Sequence, residues 1–167
     1  MDHAHAAHAH HGHVHHGGHH GAGESLNRIA FIATLHCLMG CAIGEVAGLW
    51  IGTALGWGNA ATIALAVTLA FISGFALTAL PFLRRGMAPA AALRLALAAD
   101  TASIALMEVV DNALMLAIPG AMDAPLDSLH FWGSMAVALA IAGVAAYPLN
   151  RWLIARGRGH ALAHAHH

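Results

Sequence analysis

The chain contains no lysine, and only 9% of its residues are charged, where a soluble domain carries about 25%. A net charge of -1 on 167 residues that are 59% hydrophobic would serve a free globule poorly; inside a bilayer it is harmless. All seven basic residues are arginine, and they are scattered along the chain rather than gathered into a nucleic-acid patch. The sequence has no GxGxxG, no Walker loop, no CxxC and no HExxH, so the common signatures of dinucleotide, nucleotide, dithiol and zinc-peptidase chemistry are missing. No basic region followed by an apolar stretch opens the chain, which argues against a secretory signal peptide. Paired haem ligands would need histidines on facing helices, and only His36 lies inside an apolar run. The expectation is a membrane protein that is not an enzyme.

Four apolar stretches remain, at about 28–51, 61–83, 95–118 and 131–153. Each is long enough to cross the ~20 residues' worth of hydrocarbon that a bilayer presents. The predicted fold class is therefore all-α, an integral membrane four-helix bundle over residues 26–156. The breaks are Gly52 to Asn59, Arg84-Arg85-Gly86 through Pro89, and Pro119-Gly120 through Asp127. Arg28, Arg84, Arg85, Arg94, Arg151, Arg156 and Arg158 all fall at one end of these helices, while the opposite loops hold Asp123 and Asp127. The positive-inside rule then makes both termini cytoplasmic and the protein multi-pass in a prokaryotic inner membrane. Trp50, Trp57 and Trp132 fall at the outer boundary and Trp152 at the inner one, where amphipathic rings prefer to lie.

Histidine is concentrated at the two ends, ten in residues 3–20 and four in 160–167. Residues 1–25 and 157–167 read as disordered, His-rich tails able to collect metal. The irregular spacing, with Ala, Gly and Val interleaved, reads as native rather than as an engineered tag.

The first helix carries Cys37, Cys41 and Glu45 at i, i+4 and i+8, one stripe of a helix. His36, Gly40, Gly44, Gly48 and Gly52 form the neighbouring stripe, and small residues every fourth position let another backbone approach closely. That glycine edge is a candidate subunit contact for a homo-oligomer. On the third helix Asp100, Ile104, Met107, Glu108, Asp111 and Met115 share one face, with Asn112 beside them. A carboxylate in hydrocarbon costs at least ~2.5 kcal/mol on insertion scales, so these must meet protein, water, a proton or a cation. Both helices start at the arginine end. At 1.5 Å per residue, Cys37, Cys41 and Glu45 lie ~13, ~20 and ~25 Å beyond Arg28, and Met107, Glu108 and Asp111 ~20, ~21 and ~25 Å beyond Arg94. The two sets share one slab of the membrane and can meet across a helix interface or a dimer axis.

Thiol, imidazole and thioether groups suit Cu(I) and Zn(II), and carboxylates add Zn(II) or proton exchange. The candidate metal ligands are His36, Cys37, Cys41, Glu45, Met107, Glu108, Asp111 and Met115. Other roles compete: the cysteines as small hydrophobes, the methionines as packing, the carboxyls as protonated hydrogen-bond partners. A Cys37–Cys41 disulfide is disfavoured, because i, i+4 side chains sit ~5–6 Å apart at Cβ and a bridge needs about 3.8 Å. Asp100 is a candidate partner for Arg94 or a tail arginine, in a structural role.

The run His36-Cys37-Leu38-Met39-Gly40-Cys41-Ala42-Ile43-Gly44-Glu45 resembles a prokaryotic membrane family known as domain of unknown function 4396. The likeness extends over residues 27–160, including Met107-Glu108-Val109-Val110-Asp111-Asn112, Pro119-Gly120-Ala121-Met122-Asp123 and Asn150-Arg151-Trp152-Leu153-Ile154-Ala155-Arg156-Gly157. Longer members carry His-Cys-x-x-Gly followed by Asp where this chain has Cys41, so the resemblance implies that a hard ligand can replace that thiol. It implies a compact polytopic membrane protein and brings no activity with it. The expected function is binding or translocating a transition metal, Cu(I) or Zn(II), at this intramembrane site. The alternatives are an accessory protein that assembles a metal-dependent complex and a proton-coupled carrier of a small solute.

Overall fold

The computed structural model describes residues 19–156, with side chains from Ser25 onward, so most of both expected tails and Arg158 fall outside the described residues. Four helices follow one another: α1 (His19–Ala54), α2 (Asn59–Arg84), α3 (Pro89–Ala117) and α4 (Leu129–Ala155). All four are long and apolar enough to cross a membrane. Only closed helical backbone satisfies its own polar groups in lipid, which is why apolar runs of this length become helices. Side chains such as Val109, Val144, Leu116 and Met39 point outward, at 63–75% exposure. An apolar exterior of that extent belongs in a bilayer. The protein is a multi-pass, all-α membrane protein.

Two helices start earlier than expected. α1 begins at His19, inside the stretch read as a tail. α3 begins at Pro89, with the proline at its first turn. Proline there has no amide to lose and its φ is already helical, so a residue read as a breaker is instead the start. The turns use Gly56, Gly86 and Gly120 in the left-handed region, with φ of 66°, 86° and 73°, where a Cβ would be strained. Ser128 caps α4 by accepting a hydrogen bond from the Phe131 amide at 3.1 Å.

The helices pack in chain order around a ring, α1 on α2, α2 on α3, α3 on α4 and α4 back on α1, and α1 and α3 also touch across the centre. The α1–α2 seam is the most extensive contact. Gly40 meets Gly74, Gly44 meets Ala70, Gly48 meets Ala66 and Gly52 meets Thr62. Each step of four up α1 matches a step of four down α2, as an antiparallel pair requires. The hydroxyl of Ser73 lies 2.5 Å from the Gly40 carbonyl oxygen and can donate across this seam. The glycine edge expected to join subunits is therefore covered by α2 of the same chain. The reason is visible in α2, whose own small residues recur at the matching interval. A homo-oligomer would have to use another face.

A second polar tie joins α1 to α4. Asn150 Nδ2 donates to Thr34 Oγ1 at 2.9 Å, and Thr34 in turn donates to the Ala30 carbonyl at 2.8 Å. Interhelical hydrogen bonds in membranes contribute about 0.6 kcal/mol on average and ~1.7 at most. Asn150→Leu should accordingly lower the unfolding midpoint in detergent by only a few degrees. A collapse of the fold in that variant would mean that this pair orders far more than one contact.

Candidate functional site

The stripe of α1 and the face of α3 meet within one chain. α1 brings Cys37, Cys41 and Glu45 to the bundle interior at 1%, 0% and 3% exposure. α3 brings Asp100, Met107, Glu108 and Asp111 at 1%, 0%, 4% and 3%. Both helices run in the same direction from the arginine end, so residues at equal depth face each other, and four residues along either helix is a rise of about 6 Å.

The meeting is not one cluster but two levels. Nearer the arginine end, the Cys37 thiol donates to Asp100 Oδ1 at 3.7 Å, with Ser103 beside Cys37 and Thr78 and His36 beside Asp100. Deeper in, Glu45 has Asp111 and Glu108 within hydrogen-bonding reach, and Cys41 lies against Glu108. Neither oxygen of Glu45 receives a bond from a fixed N–H or O–H donor, nor do Glu108 Oε1 and Asp111 Oδ1. Their neighbours are each other. Asn112 helps the set from below: its Nδ2 donates to the Glu108 backbone carbonyl at 2.9 Å and stands 3.5 Å from Glu108 Oε2.

Three buried carboxyls, with Glu45 in reach of both Glu108 and Asp111, cannot all be ionised inside a bilayer at acceptable cost. They either share protons or neutralise a cation. Arg28, Arg84, Arg85, Arg94, Arg151 and Arg156 all lie toward one end of the bundle, away from these carboxyls. Among the described residues, no three His, Cys, Asp or Glu side chains are gathered into a group that could hold a metal ion as they stand. An ion entering here would have to draw the carboxyls inward.

The eight candidate ligands thus separate. His36 and Cys37 go with Asp100. Cys41, Glu45, Glu108 and Asp111 form the deeper set. Met107 packs between the levels, in an apolar cluster with Cys37, Cys41 and Ile104. Met115 lies past Asp111, lining a small cavity with Glu45 and Asp111. The cysteines are both free thiols. Asp100 turns inward and takes the Cys37 thiol as one partner, because it lies seven residues before Met107 and two helical turns keep it on the same face. Met122 and Met135 were not anticipated as site residues at all. They come from the α3–α4 connection and from α4, and line the same cavity.

The cavity has about 20 Å³ of space, room for about one water or a bare ion. On the side away from the arginines lies a vestibule of about 430 Å³ between the α1–α2 turn and the α3–α4 connection, lined by Trp57, Asn59, Thr62 and Asp123 among others. Leu49 and Met122 border both spaces.

Residues 27–159, which take in all four membrane spans, match the family described as Domain of unknown function (DUF4396). The chain belongs to the DUF4396 family. The matched region begins within α1 and ends just beyond α4. No curated protein matches the chain, and no solved structure does.

Proposed function

We propose that this DUF4396 protein exchanges protons for a transition-metal cation at the Cys41, Glu45, Glu108 and Asp111 cluster. The observation that carries the reading is a set of three buried carboxyls in which Glu45 lies within reach of Glu108 and Asp111 and four of the oxygens meet no fixed donor. Such a set is expensive to keep in a membrane unless something positive comes and goes. A cation bound there displaces the protons that the carboxyls and the thiol otherwise hold. Zn(II) suits carboxylate with thiolate, Cu(I) suits the sulfur ligands, and the His-rich ends would collect either. The arginines at one end favour cytoplasmic termini by the positive-inside rule, and on that reading the vestibule opens on the opposite side.

The test uses the full chain, comparing wild type with Glu45→Gln/Asp111→Asn so that metal held by the tails is common to both. Wild type should bind one more Zn(II) per chain than the variant and release more protons on loading. Equal stoichiometry and equal proton release would remove the cluster from metal chemistry.

A second reading is a proton-coupled carrier of another small solute. It is favoured by the lack, among the described residues, of a group gathered to hold a metal. In liposomes that reading gives proton flux driven by solute, with no metal flux. Metal binding without flux of either kind would point to an accessory role instead.

A further inference from the structure

Met115, Met122 and Met135 come from three different segments: α3, the α3–α4 connection and α4. All three line the one small cavity into which Glu45 and Asp111 also face. Met115 and Met135 are 4% exposed and pack in one cluster with Phe131 and Ala138, against which Met122 also packs. Methionine in a core is usually a gap-filler. Three of them around a space of about 20 Å³, beside two carboxyls 3% exposed with oxygens that no fixed donor satisfies, is a different arrangement.

We infer that this cavity is a binding site for a monovalent soft cation, Cu(I) or its analogue Ag(I), held by the thioethers of Met115, Met122 and Met135 and charge-compensated by Glu45 and Asp111. The inference rests on the cation-exchange reading of the carboxyls and adds a ligand type to it. Thioethers are neutral and soft, so they select Cu(I) over hard ions and over Zn(II). Being neutral, they leave the ion's charge unbalanced in a low-dielectric interior, where an unpaired charge is costly. Glu45 and Asp111, which line the same cavity, supply the counter-charge, one of them giving up its proton to solvent in the vestibule as the ion enters. The size of the cavity requires a bare ion, and a thioether set replaces its hydration shell without adding protons to the balance. Leu49 and Met122 border both the cavity and the vestibule, so the ion arrives from the side away from the arginines, past a methionine that is itself a ligand.

The experiment titrates full-length protein in detergent with Ag(I), and reads the silver or Cu(I) first shell by X-ray absorption. Three proteins are compared: wild type, Met115→Leu/Met122→Leu/Met135→Leu, and Cys37→Ser/Cys41→Ser. Leucine is close to methionine in volume, and such swaps are tolerated in cores; an unchanged unfolding midpoint without metal confirms that the variant is folded. The triple-leucine protein should lose one tight Ag(I) equivalent, or bind it at least tenfold more weakly, and its sulfur scattering should fall. The serine protein should keep both. Loss in the serine protein with retention in the leucine protein would assign the ion to the thiols and overturn the inference. Retention in both would leave the methionines as packing and overturn it equally. A single leucine variant, Met135→Leu, repeats the comparison if the triple variant does not fold. Zn(II)-driven proton release in the leucine protein reports the carboxyl cluster separately, so failure here is distinguishable from failure of the proposed function.

Discussion

Gly44→Leu should prevent the bundle from assembling. A Cβ at position 44 runs into the backbone of α2 at Leu69 and Ala70, atoms that have no rotamer to move. Overpacking a core against side chains costs roughly 1–3 kcal/mol, and here the obstruction is main chain on the most extensive helix contact in the molecule. α2 would have to back away along its length, which breaks the registered contacts at Gly40, Gly48 and Gly52 together. The expected result is a protein that cannot be recovered as a single species in mild detergent, or one that unfolds at least about 10 °C below wild type. Gly133→Leu is the control. Nothing lies within 4 Å of a Cβ built there, and that variant should behave as wild type. If Gly44→Leu folds normally, the α1–α2 seam is not the tight contact described.

The second large effect concerns Glu45→Gln/Asp111→Asn. Without metal, this variant should be more stable than wild type, because neutral amides replace carboxyls that repel whenever more than one ionises. A buried carboxyl carries a penalty whenever it ionises that an amide of the same shape does not. With saturating metal the order reverses. A ligand at a hundred times its dissociation constant stabilises the folded state by about 2.7 kcal/mol, and only wild type can gain it at this site. A plot of unfolding midpoint against Zn(II) or Ag(I) should therefore show two curves that cross. A purely structural role for the carboxyls gives the opposite pattern: amides that weaken the fold, and no metal-dependent gain in wild type beyond that of the variant.

Much of this was legible in the sequence because membranes leave so few options. Four apolar runs and three polar breaks fix four helices; their ends erred most at Pro89, a proline that starts a helix, and at His19, where α1 reaches back into the His-rich stretch. The stripe Cys37, Cys41, Glu45 and the face Asp100 to Met115 follow from a period of 3.6 residues, and both proved to point inward. The depth argument placed them in one slab, and the α1–α3 contact brings them together. The partner of the glycine edge was harder. Its signal was present in Ala66, Ala70 and Gly74 at the same interval of four, but a small-residue stripe does not say whether its match lies in the same chain. Met122 and Met135 carried no local signal. One sits in a connection and one in an apolar helix, and only the tertiary arrangement makes them neighbours of Met115.

The division of labour between helices also has a consequence for how the protein is made. The α1–α2 seam is complete once two helices have left the ribosome, yet Glu45 finds its carboxyl neighbours only on α3. A nascent two-helix hairpin therefore carries a lone glutamate whose eventual partners do not yet exist, and it must wait in its protonated form. Arrival of the third helix turns that liability into the site. On the proposed reading, synthesis of α3 is the moment at which the cation site is assembled, and a chain stopped after α2 would be an inserted hairpin whose glutamate still lacks its α3 partners.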